Sequence, residues 1–411
     1  MDSKEDGKAH LRSPSTIAAH GGHLGENAFG AVVPPVFHST IFSFASFDEL
    51  RRYARGEMAD SYFYSRYSNP TVTEVECTIA ELEGAENAVV TASGSAATFC
   101  ALAALCEAGD EIIACQSIYG GTTRIIEEVL GRFGIRSRFI SIEDIPNLPE
   151  IAASNTRVFW FETPTNPTNR LVDLELAADS ARAANIFSIA DNTFATPILQ
   201  RPIEKGIGAV MHSATKYLGG HSDLTAGVVA GTAEYIARVR RIAVLTGATL
   251  DPAAAYLLGR GIKTLDVRVR ASCANAMRFA NAMRRNGQVA RVYYPGLEDD
   301  PGHLLAARQM SDFGGIVSFD LVGGEREAES FLDALQMVRC APSLGGVETL
   351  VSYPLYSSHN GFSREQLEAV GVTAATVRFS IGIESAEDII ADVEQALAMV
   401  EKSRHSSNNS E

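Results

Sequence analysis

The stretch HSATKYLGGHSD, residues 212–223, holds one lysine, Lys216, among hydroxyls and glycines. A lysine amine acts as a nucleophile only when unprotonated, which against an ordinary pKa of about 10.4 requires desolvation or a neighbouring cation. Other groups along the chain could share a site with it. Asp191 ends the apolar run IFSIAD, Ser213 and Thr215 stand just before the lysine, Asn166 lies in ETPTNPT, and VVTASGSAAT presents Gly94 and Ser95 in a Ser-Gly-Ser turn opening a helix. Singly, each has a plain structural reading. Asp191 could cap a turn, Asn166 could serve an Asn-Pro turn, ASGS is an ordinary helix cap, and the lysine could lie over the surface.

Together they point to chemistry. A helix N-terminus with free N–H groups binds phosphate, hydroxyls assist it, and the lysine supplies an amine. A nucleotide-binding P-loop would need its lysine after the glycines; here the lysine precedes them. A Schiff base with a carbonyl cofactor uses such an amine directly, and an aspartate paired with a protonated pyridine nitrogen makes the ring an electron sink. Phosphate site, aspartate and lysine together indicate pyridoxal 5'-phosphate.

These groups need elements that bring them to one edge. From about residue 69, short β-rich runs (EIIAC, RSRFISI, TRVFWFE, IFSIAD, IGAVMHS, AGVVAG) alternate with helical stretches such as TVTEVECTIAELEG, TTRIIEEVLGRFG and LELAADSARAAN. Strands alternating with helices, several of them almost wholly apolar, predict a largely parallel sheet covered on both faces. Ligands collect at the carboxyl ends of such strands, where Asp191 and Ser213–Lys216 fall. After residue 260, one long helical stretch precedes VARVYYPG, GGIVSFDL and TVRFSIGIE, which reads as a smaller α+β domain. The division expected is an N-terminal segment over 1–68, a large cofactor domain over 69–262, a C-terminal domain over 263–400 and a disordered tail over 401–411.

Composition narrows the partners. Hydrophobic residues at 46% are enough for a sizeable core, and a net charge of −15 without a Lys/Arg run argues against nucleic acid. No apolar run approaches the roughly 20 residues of a membrane span, and MDSKEDGKAHLRSPS lacks a secretory signal's apolar stretch, so the cytoplasm is expected. Six cysteines without a C-x-x-C read as free thiols, and His20 and His23 of HGGH, lacking a third ligand, read as solvated loop residues; no metal is expected.

YSRYSNPT, ASGSAAT, YGGTTR, ETPTNPT, ADNTFATP, HSATKYLGGHSD, SLGGVETL and VRFSIGIE resemble, in this order, the motifs of the Cys/Met metabolism (trans-sulfuration) family of pyridoxal-phosphate enzymes, over residues 17 to 400. The resemblance implies fold type I, with Lys216 as Schiff-base lysine and proton carrier and Asp191 on the pyridine nitrogen. Gly94, Ser95, Ser213 and Thr215 would bind the phosphate, with Tyr64 and Arg66 reaching it from a neighbouring subunit. Tyr119 would stack on the ring, and Arg378 would hold the substrate α-carboxylate with Asn166 and Ser343. It also implies a homotetramer of dimers sharing their active sites.

Departures bear on the substrate. Ser95 stands where many relatives have methionine. Gly121 replaces the cysteine of typical methionine γ-lyases, Arg124 follows cystathionine enzymes as a substrate-binding candidate, and Pro342 stands where many γ-lyases and bacterial γ-synthases carry glutamate. Cystathionine γ-lyase or γ-synthase chemistry is the expectation, ahead of methionine γ-lyase or O-acylhomoserine sulfhydrylase. A homologue that binds cofactor without catalysis is the alternative of another class.

Overall fold

The apolar runs become strands wherever both faces can be covered. The computed structural model describes residues 12–21, 30–58 and 61–408. Its first sheet holds β1 (Asn87–Thr91), β2 (Glu111–Cys115), β3 (Arg136–Ile140), β4 (Thr156–Glu162), β5 (Phe187–Asp191), β6 (Ala209–His212) and β7 (Gly227–Gly231), in the order β1-β7-β6-β5-β4-β2-β3. Only β7 runs against its neighbours. All the other strands therefore end at one edge. Val158, Phe159, Trp160 and Phe161 of β4 are wholly buried, as a strand covered on both faces must be.

Local signals start the covering helices. Asn69 caps Pro70–Glu83 by accepting the Thr71 N–H, Pro70 fits the first turn, and Gly84 ends the helix in the left-handed conformation. Ser93 caps Gly94–Ala103 by accepting the Ala96 N–H. The run TTRIIEEVLGRFG, read as one helix, breaks instead into Gly120–Arg124, a π-helical turn over Ile125–Val129 and a 3₁₀ turn over Leu130–Phe133. Two glycines in its last four residues weaken the α-helical continuation.

The second sheet, ordered β10-β11-β12-β9-β8, contains β8 (Val289–Tyr293), β9 (Ile316–Leu321), β10 (Arg339–Cys340), β11 (Leu350–Ser352) and β12 (Thr376–Ser380). It packs on its own core of Phe279, Phe319, Phe331 and Phe379. The helix Leu265–Arg284 serves two cores: Leu265, Val269 and Cys273 lie with the first sheet, Ala276, Phe279 and Met283 with the second. The loop after β4 joins the sheets. Asn169 Nδ2 donates to the Tyr293 and Ile316 carbonyls, and Ser318 Oγ donates to the Pro167 carbonyl at 2.6 Å.

A disordered tail from residue 401 is not what forms. The last helix runs Ala386–Asn408, because no glycine or proline interrupts it and its turns up to Val400 are anchored through Val393 and Leu397. Residues 409–411 lie outside the described residues.

Candidate active site

A cavity of about 370 Å³ opens where the first sheet's parallel strands end, facing β12 of the second. Lys216 enters it from the turn between β6 and β7, and its Nζ donates to Ser343 Oγ at 2.7 Å. Burial, aided by the nearby Arg378 guanidinium, lowers the Lys216 amine to about 8. That amine is therefore neutral more than a hundred times more readily than an exposed lysine's, by roughly two powers of ten.

Asp191 closes β5 and is buried. Its Oδ1 accepts from the Thr193 N–H at 3.0 Å and the Thr193 hydroxyl at 2.5 Å; among the described residues its other oxygen has no partner. Burial raises the Asp191 carboxyl above the usual range, while the Thr193 bonds and His212 oppose the rise. Gly94 and Ser95 open the helix after β1 and line the same cavity. A Cβ on Gly94 would lie 2.9 Å from both Cβ and Oγ of Ser213, so only glycine lets the helix end approach this closely. Thr215 is engaged differently from expectation: its hydroxyl donates to the Ala226 carbonyl at 3.1 Å and accepts the Ala226 N–H at 2.9 Å, which commits its proton to the backbone.

Arg378 reaches the cavity from β12, 5% exposed and without a salt bridge to any described carboxylate. Nη1 donates to Asn166 Oδ1 at 2.8 Å, Nη2 donates to the Ser343 carbonyl at 2.9 Å, and buried Nε has no partner. A local bridge to Glu384 does not form, since Glu384 accepts from the Thr349 N–H and hydroxyl. Burial lowers the guanidinium to about 10, against the stabilising charge of Glu162. Ser343 serves both partners from a left-handed backbone (φ 96°), strain of the kind found at functional sites.

Tyr119, half exposed, lines the cavity from the cap of Gly120–Arg124. Its ring occupies space that a side chain at 121 would take: a Cβ there would stand 2.3 Å from Tyr119 Cε1. Arg124 does not join the site. It lies outside the cavity lining, with Nη2 donating to the Asn360 carbonyl at 2.8 Å, because the short helix turns its last residue toward the loop 357–362. Tyr64 and Arg66 do not reach their own chain's cavity either. Arg66 donates to the Val244 carbonyl at 2.9 Å and stacks over Tyr67.

Reading the sequence missed Glu162 and Thr193. A lone acid closing the apolar run FWF was the available signal for the first, and the threonine two residues past Asp191 for the second. His20 ends Pro14–His20, and His23 lies outside the described residues. Among the described residues no group of three His, Cys, Asp or Glu side chains is placed to hold a metal ion.

The cavity makes three electrostatic demands. Asp191 needs a cation at its free oxygen, while Arg378 and the helix N-terminus each need an anion. A protonated pyridine ring, a phosphate and an amino-acid carboxylate meet all three, and the lowered amine of Lys216 suits a carbonyl. Fold and cavity thus define an α/β enzyme built around a pyridine-aldehyde phosphate cofactor. The chain belongs to the family of Cys/Met metabolism PLP-dependent enzymes, whose model matches residues 15–398, and its cofactor is pyridoxal phosphate. It is 40% identical to the L-methionine gamma-lyase of Fusobacterium nucleatum subsp. polymorphum over 94% of this chain and 98% of that one. It is 39% identical to the cystathionine gamma-lyase of Bacillus subtilis over 93% and 98%. The cystathionine gamma synthase of Xanthomonas oryzae pv. oryzae, solved in complex with cystathionine, superimposes with a TM-score of 0.89 at 36% identity, covering 95% of this chain and 99% of that one.

Proposed function

We propose that this enzyme carries out γ-elimination or γ-replacement on a sulfur-containing or O-acylated homoserine amino acid, as a cystathionine γ-lyase or γ-synthase. The observation that carries the proposal is Ser343, whose hydroxyl takes the Lys216 amine while its carbonyl takes Arg378. One residue thereby sets the proton-moving group against the carboxylate site. Bound pyridoxal phosphate supplies a carbonyl for amines and a ring that accepts the electron pair left when a proton leaves the substrate.

The protein's own groups do the rest. Asp191 holds the ring nitrogen protonated, steadied by Thr193. The Gly94 and Ser95 amides and the Ser213 hydroxyl hold the phosphate; the Thr215 hydroxyl joins them only by giving up Ala226. Tyr119 covers the ring. Arg378 and Asn166 fix the substrate carboxylate, two parallel donors matching two oxygens. Lys216 Nζ, which lines the cavity beside the carboxylate site, would take the α-proton and could return it further along the chain.

Methionine γ-lyase chemistry is the second reading. Among the described residues the cavity lining carries no cation apart from Lys216 and Arg378, and Pro342, Ser357 and Ser358 border it without offering a partner to a second charged substrate group such as cystathionine's distal one. The test is direct. Purified protein is assayed with cystathionine, with methionine, and with O-acylhomoserine plus cysteine or sulfide, following 2-oxo acid and thioether. Turnover of none of them would leave the cofactor-binding homologue standing.

We also assign residues 1–68 to contacts with a neighbouring subunit in a tetramer, 69–262 to cofactor binding and 263–400 to closing the site, in a cytoplasmic enzyme. Val32 and Ile41, 95% and 68% exposed, with Phe47, Phe63 and Tyr67, support the first assignment, since so many large apolar groups are costly to leave in water.

A further inference from the structure

One buried acid in the cavity lining takes no part in the roles above. Glu162 closes β4, and sheet register sets it beside Asp191 of β5, both carboxylates lining the cavity. Its two oxygens are taken by backbone amides from two different loops. Oε2 accepts the Tyr119 N–H at 2.8 Å; Oε1 accepts the Asn166 N–H at 2.9 Å. Tyr119 follows β2, Asn166 follows β4, and at these points the neighbouring strands have ended. No ladder bond therefore ties the loops together. Each carries a piece of the site: the Tyr119 ring on one side and, on the other, the Asn166 Oδ1 that takes Arg378 Nη1.

We propose that Glu162 is a positioning residue: by gripping both amides, its carboxylate sets the separation between the Tyr119 ring and the Arg378–Asn166 pair, and so the angle at which a bound substrate presents its α-carbon to Lys216. Arg378 forms no salt bridge with it and acts on it only through space. Burial and Asp191 push the Glu162 carboxyl well above its ordinary range, while the two amides and Arg378 favour its ionised form. An acid kept beside Asp191 at that cost answers to the geometry it holds. The inference rests on Arg378 as the substrate-carboxylate site.

Two variants test it in the cofactor-loaded enzyme. Glu162→Gln keeps the length but offers one acceptor oxygen, leaving one loop amide unmatched; Glu162→Asp keeps the charge but is a methylene too short for both amides. Glycine, which carries the amine and carboxylate without a γ-substituent, is titrated against the visible absorption of each, with pyridoxal phosphate affinity and thermal midpoint measured alongside. Both variants should bind glycine about tenfold or more weakly than wild type while pyridoxal phosphate affinity stays within about threefold. A residue that merely braces the fold would lower the midpoint without that split. Glycine affinity within twofold of wild type in either folded variant, or equal losses of glycine and cofactor, overturns the proposal. Arg378→Lys, run in parallel, separates the causes. If it too binds glycine normally, the carboxylate-site reading fails; if it alone is impaired, only the role of Glu162 fails.

Discussion

Lys216 differs from a surface lysine in being buried beside a second cation, and that difference is measurable. Only its neutral form can add to an aldehyde, so below pH 8 the rate at which the cofactor-free protein captures pyridoxal phosphate should fall about tenfold per pH unit. Above about pH 8 it should level off, where an unshifted lysine would keep gaining rate to about pH 10.4. Following the growth of visible absorption from pH 6 to 10 decides between the two. Lys216→Ala should fold and retain the cofactor weakly, yet turn over no substrate, and borohydride reduction of the wild type should fix a pyridoxyl label at residue 216 on peptide mapping. A label at any other lysine removes Lys216 from its role. Arg378→Lys keeps the charge but loses the planar fork that bonds Asn166 and Ser343 together. Its kcat/KM should drop by an amount equivalent to about 2–5 kcal/mol, with normal cofactor absorption. Near-normal kinetics would mean that another group holds the carboxylate.

At the scale of elements, the site depends on how closely the helix Gly94–Ala103 approaches the turn after β6. Gly94→Ala places a methyl 2.9 Å from Ser213 Cβ and 3.1 Å from its Cα, and backbone cannot swing aside as a long side chain can. The helix end must retreat, which overpacking data put at about 1–3 kcal/mol of stability. The Gly94 and Ser95 amides proposed for the phosphate retreat with it. Cofactor affinity should therefore weaken about tenfold, measured by equilibrium dialysis, whereas Ser95→Ala, which keeps its amide, should bind normally. A Gly94→Ala protein with unchanged affinity would place the phosphate elsewhere. The loop after β4 matters for a related reason: it carries Asn166 into the cavity and, through Asn169 and Pro167, bonds the second sheet that carries Arg378.

At the scale of the whole molecule, the segment around Tyr64 and Arg66 is held away from its own cavity while presenting large apolar groups to solvent. A second copy is the economical cover for that face, and it would bring Arg66 to a neighbour's phosphate. Lys216→Ala and Arg66→Ala proteins, each inactive alone, should then regain up to about a quarter of wild-type activity after subunit exchange, because a random hybrid dimer assembles one intact site. Verified exchange without recovered activity would make the sites independent, and a monomer by sedimentation would remove the shared site altogether.

Patterns that repeat over short distances were legible in the chain. Alternation of apolar runs with helices, the cap composition of ASGS, and polar residues at or just past the ends of β5 and β6 specify a largely parallel sheet whose loops converge, since burial and hydrogen bonding act on neighbours in sequence. The same pattern puts Lys216 and Asp191 at one sheet edge, and both line the cavity there. What those patterns could not contain is which residues from distant segments share a partner. Ser343 joining Lys216 to Arg378 spans more than a hundred residues of chain, Glu162 grips two loops by their amides whatever their side chains, and Arg124 turns away because a five-residue helix ends where it does. The first and third depend on the packing of the second sheet's part of the chain against the first, the second on which strands lie side by side in the first sheet, and only the tertiary structure decides either.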